Sequence, residues 1–98
     1  MDREPAIPKT EGAIWDGISH NLSHFFVMAR HRKFYSEKHL VGGIAALEEL
    51  RNIITDNSRI EKIDTFLIKL RQIDINSAVD LSLIEEIQGD LGEIRTHK

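Results

Sequence analysis

Three of the five histidines lie in the segment HNLSHFFVMARHRKFY, residues 20–35, with an arginine–lysine cluster at its end. Imidazole suits both metal ligation and proton transfer near neutral pH. On a helix of 3.6 residues per turn, His20, His24 and His31 fall within about 40° of one another, and Asp16 lies about 40° beyond His20. The pair His20 and His24 presents two nitrogens one turn apart to a transition-metal ion, and Asp16 adds a carboxylate. This set is incomplete. Asn21, not glutamate, follows His20, so the helical zinc-protease signature is missing. Glu-x-x-His pairs do not recur on two helices, as a di-iron bundle requires. No cofactor is expected, and a histidine-stripe metal protein using Asp16, His20 and His24 is the last of the alternatives.

Other chemistry is thinner still. Ser19 and Ser23 interleave with the histidines, but no base-plus-orienter arrangement activates a serine. The interval from Arg32 to His39 is similar to the arginine–histidine pairs of small helical ribonucleases, though the two residues straddle a helix end. The glycines of VGG (residues 41–43) lack the lysine and hydroxyl residue of a phosphate loop. Without cysteine there is neither a thiolate nucleophile nor a disulfide. The chain is not expected to be an enzyme.

Charge offers a different lead. The net charge is −3, yet Arg30, Arg32, Lys33 and Lys38, with His31 and His39, form a basic run interrupted only by Glu37. Phe34 and Tyr35 add aromatic faces, so segment 30–39 suits phosphates and stacked bases. Four cations on an acidic chain make a small footprint, and cations at a helix C-terminus also answer the macrodipole. Residues 74–93 carry six acids (Asp74, Asp80, Glu85, Glu86, Asp90, Glu93) and no lysine or arginine. Nucleic acid therefore ranks second to protein as the partner.

The elements that must position these residues read as helices throughout. Residues 1–9 hold both prolines and no periodicity, and are expected to be a flexible arm ahead of one helical domain over 10–96. Thr10 is the N-cap expected for a first helix over 11–34. Its apolar stripe is Ile14, Trp15, Ile18, Leu22, Phe25, Phe26 and Ala29, roughly opposite the histidines. Ser36 caps a helix over 37–55, bearing Leu40, Ile44, Leu47, Leu50 and Ile54. Its Gly42 and Gly43 cost about 1 kcal/mol each against alanine, which predicts close approach of a neighbouring helix. Ser58 and Glu61 match a capping box opening a helix over 59–72, and Leu81, Ile84, Ile87, Leu91 and Ile94 mark a fourth over 80–95. Short connections favour antiparallel neighbours, so the expected fold is an all-α, small four-helix bundle.

No apolar run approaches the roughly 18 residues of a membrane-spanning helix, and the charged start MDREPAIPKTEG lacks a signal-peptide core. A cytoplasmic protein that does not enter the membrane is expected. Trp15, Phe26 and Phe34 widen the first apolar face beyond what one neighbour covers, which points to a homo-oligomer, a dimer foremost, or a groove for another protein. The expected function is that of a small helical protein–protein interaction module, an adaptor, inhibitor or immunity-type protein. Its expected partner-binding residues are His20, His24, His31, Arg30, Arg32, Lys33 and Tyr35.

Overall fold

Each helix opens on a side chain that satisfies its first free backbone donors. In the computed structural model, which describes residues 10–95, Thr10 accepts a hydrogen bond from the Ala13 backbone N–H at 3.1 Å. That cap opens α1, Glu11–Val27. Ser36 accepts from the His39 N–H and opens α2, Glu37–Ile53. The third start differs from the capping box expected at Ser58. Asp56 is the cap, accepting from the Ser58 N–H at 2.9 Å, so α3 begins two residues earlier and runs Asn57–Arg71. A carboxylate beside the free N–H groups has the macrodipole in its favour, and this lets Asp56 displace the serine. Asp80 accepts from the N–H groups of Ser82 and Leu83 and opens α4, Leu81–Arg95. Residues 1–9, expected to form the arm, lie outside the described residues, as does the last position of the expected domain.

The expected first helix over 11–34 divides. Beyond Val27 the chain widens into a π turn, Met28–Arg32, which ends at Lys33 in the left-handed region, with φ 61° and ψ 35°. Hydrogen bonds from i to i+5 enclose more residues per turn than an α-helix does. Side chains after Val27 therefore rotate away from a 3.6-residue wheel.

The four helices form an all-α bundle of antiparallel neighbours. Arg71 pairs with Glu48, and Arg51 with Asp64 at 2.5 Å, across α2 and α3. Lys69 holds both Glu86 (2.7 Å) and Asp90 (2.6 Å) across α3 and α4. The acids of α4 thus answer a lysine of α3. The ring closes where Arg95 of α4 donates to the Ser19 hydroxyl of α1 at 3.3 Å. Ile18, Leu22, Phe25, Leu47, Leu50, Ile63, Phe66, Leu70, Ile84 and Ile87 are wholly buried and make the core.

Two packing details correct or extend the sequence expectations. Trp15 and Phe26 are buried within the single chain, so the apolar surplus that pointed to a dimer shrinks to Phe34. Trp15 donates its indole N–H to Glu11, whose carboxylate also accepts from Arg59 of α3 at 2.8 Å. The Arg59 Nε is buried without a partner, so Glu11 is its charge balance. The expected helix approach over the glycines is present. A Cβ on Gly43 would stand 2.5 Å from Leu22 Cδ2, and one on Gly42 2.5 Å from Asn21 Oδ1. The two glycines let α1 lie directly on α2.

Candidate functional site

That close approach fixes the register of the α1–α2 seam, with Asn21 opposite Gly42 and Leu22 opposite Gly43. The same antiparallel register carries His24 to His39. Their rings stack at 5.1 Å between centres, 16° from parallel, while His20 meets His24 edge-on at 4.6 Å. Three imidazoles from two helices thus touch in a row on the outer face of the bundle. His20 and His24 are exposed and His39 is half-buried. Ser36 Oγ lies 2.7 Å from His39 Nδ1 and holds that ring in place. Burial depresses the His39 pKa below the ordinary imidazole value, and His24, Lys38 and His20 depress it further as like charges.

The histidine stripe expected from the sequence is therefore rearranged. Asp16, His20, His24 and His31 are all exposed, but His31, carried on the π turn, joins none of the described ring contacts. His39 replaces it. A wheel drawn on one helix cannot show a residue that arrives from another. The legible signal was the glycine pair, which sets the register once α1 and α2 are taken as an antiparallel hairpin. Among the described residues, no group of three or more His, Asp or Glu side chains is arranged to hold a metal ion. The set Asp16, His20 and His24 is not assembled as a ligand cage.

The basic strip also divides. Arg30 is half-buried and donates Nε to the Gln88 Oε1 of α4 at 3.2 Å, so it ties the π turn to the bundle. Tyr35, expected on the partner-binding surface, is only 6 % exposed. Its ring stacks on Phe25 at 5.8 Å, and its hydroxyl accepts a hydrogen bond from the Asp80 N–H at 2.9 Å. The aromatic ring carries too much apolar area to remain in water when Phe25 offers a face. The two residues thus belong to the joint between the α1–α2 corner and the start of α4. Arg32, Lys33 and His31 remain exposed, beside Phe34 at 46 % exposure and Val27 at 53 %. The structure leaves one corner that is cationic and apolar together.

Shallow clefts lie elsewhere on the molecule. The one between α3 and α4 encloses about 250 Å³ and is lined by Glu61, Lys62, Thr65, Asp90, Glu93 and Ile94. Its charges are mixed, and it gathers none of the histidines. No helix among the described residues is long and apolar enough to cross a membrane. Comparisons with family models, curated proteins and solved structures find no match.

Proposed function

We propose that the chain is a cytoplasmic protein–protein interaction module, an adaptor or inhibitor in kind, that binds through the corner between α1 and α2. The supporting observation is the exposure of Phe34 and Val27 together with Arg32, Lys33 and His31. A large apolar ring held at a surface already supplied with cations matches the composition of interface centres, where aromatics and arginine are enriched. The partner that fits is a protein presenting acidic side chains around an apolar pocket. Binding is tested by capture from the native cell with wild type, Phe34→Ser and Arg32→Glu/Lys33→Glu. The reading expects one protein to be retained by wild type and lost from both variants. Equal retention by all three removes it. Light scattering behind a sizing column separates a second copy of this chain from a foreign partner.

A second reading rests on the same corner, since exposed cations beside an aromatic ring also suit a single-stranded nucleic acid. Gel-shift titration with RNA or single-stranded DNA at low salt tests it. Binding that falls with salt and with Arg32→Glu/Lys33→Glu favours it, and no shift at low salt ends it.

A further inference from the structure

We infer that His20, His24 and His39 form a proton-operated latch on the α1–α2 seam, closed when the imidazoles are neutral and loosened when they charge. The inference stands on their placement rather than on the partner reading. Two of the three come from α1 and one from α2, so charge on both sides acts directly across the seam. The His24 and His39 rings are stacked face to face, an arrangement that two imidazolium ions oppose. The charged groups around them add to the effect. On α2, Lys38 adjoins His39, and its charge, like those of His20 and His24, disfavours a proton there. On α1 the carboxylate of the stripe is Asp16, one turn before His20. From the corner, Ser36 supplies a neutral hydroxyl to His39 Nδ1. The groups that act on the His39 charge are His24, Lys38 and His20, each a cation when protonated.

The seam beneath is built for close contact, because Gly42 and Gly43 bring the backbone of α2 against Asn21 and Leu22. A seam packed so tightly has little slack to separate two charged rings without moving the helices apart. A base whose proton affinity is reduced on folding stabilises the fold above its ordinary pKa. That stability is lost as pH falls through that value toward the folded one. The working window is thus the mildly acid side of neutrality. Acid also turns a neutral face into one bearing three imidazolium charges beside Lys38.

NMR titration of the imidazole protons in the intact chain tests the latch. His39 is expected to titrate below the ordinary imidazole value in wild type, and His24→Gln to raise its midpoint toward that value, with His39→Gln assigning the resonance. Urea unfolding of the same proteins gives the second readout. The wild-type midpoint is expected to fall between pH 7 and 5.5, while His39→Gln stays level over that interval. Should His39→Gln fail to fold, His20→Gln carries the same two tests. A His39 midpoint at the ordinary imidazole value overturns the inference. So does a wild-type urea midpoint that does not change over the window.

Discussion

Lys33 is the one described residue other than glycine with a positive φ, and it holds the chain where the π turn ends. Side chains with a Cβ pay for the left-handed region with about 1–2 kcal/mol, a cost glycine escapes. Lys33→Gly is therefore expected to stabilise the fold by about 1 kcal/mol, which raises Tm by about 4–8 °C in a domain of this size. Lys33→Ala, with the same backbone constraint, leaves Tm unchanged and separates the effect of the charge from that of the dihedral. Tyr35 makes the opposite case. Its ring is buried, and its hydroxyl gives the Asp80 N–H its acceptor at the head of α4. Tyr35→Phe keeps the stack on Phe25 and leaves that donor without its partner, so a loss of about 1 kcal/mol is expected. Urea unfolding checks it: the midpoint moves and the slope does not. From the sequence, Tyr35 reads as one more member of an exposed strip. Nothing in the order of types distinguishes it from Phe34, and only the tertiary position of Phe25 decides which of the two rings goes in.

Among the elements, the glycines show how neighbouring surfaces decide the sign of one substitution. Gly43 faces Leu22, which is wholly buried and cannot withdraw, so Gly43→Ala is expected to cost about 1–3 kcal/mol through overpacking. Gly89, on the exposed side of α4, has nothing within 4 Å of an added Cβ. Gly89→Ala is expected to stabilise by about 0.5–1 kcal/mol through helix propensity alone. Thermal unfolding of the two variants should move in opposite directions. Helix identities were legible because the 3.6-residue apolar period runs through all four segments, from Ile14–Ala29 to Ile84–Ile94. The caps at Thr10 and Ser36 were legible for the same local reason. The π turn was not, since Met28–Arg32 continues a helical pattern in types, and the departure lies in hydrogen-bond register. At α3 the sequence pointed to a capping box at Ser58, and the fold instead takes its cap from Asp56, two residues earlier.

For the whole molecule, charge pairing sets the pH range of stability. Glu11, Asp64 and Asp74 lie below their ordinary carboxylate values, held there by Arg59, by Arg51 and by the Asn76 backbone N–H respectively. Such groups contribute above the ordinary value of about 4 and lose their contribution as pH falls through the folded one. Lys69 is raised by Asp90 and Glu86, so its contribution is present below about pH 10 and lost above it. Beyond the fall expected from the histidines between pH 7 and 5.5, urea midpoints are expected to decline further below about pH 5 and again above about pH 10. High salt should flatten the parts owed to exposed ion pairs and spare that of Asp74, whose partner is backbone. Architecture was legible at this scale and the candidate site only in part. The histidine spacing placed His20 and His24 on one face of α1, but the third imidazole, the burial of Tyr35 and the diversion of Arg30 to Gln88 are products of assembly. One consequence of that assembly is optical. The chain has a single tryptophan, and its indole N–H rests on the carboxylate that clamps Arg59 of α3. Emission excited there reports the joint of α1 with α3, and a red shift on acidification dates the release of Arg59 apart from any event at the opposite end of the bundle.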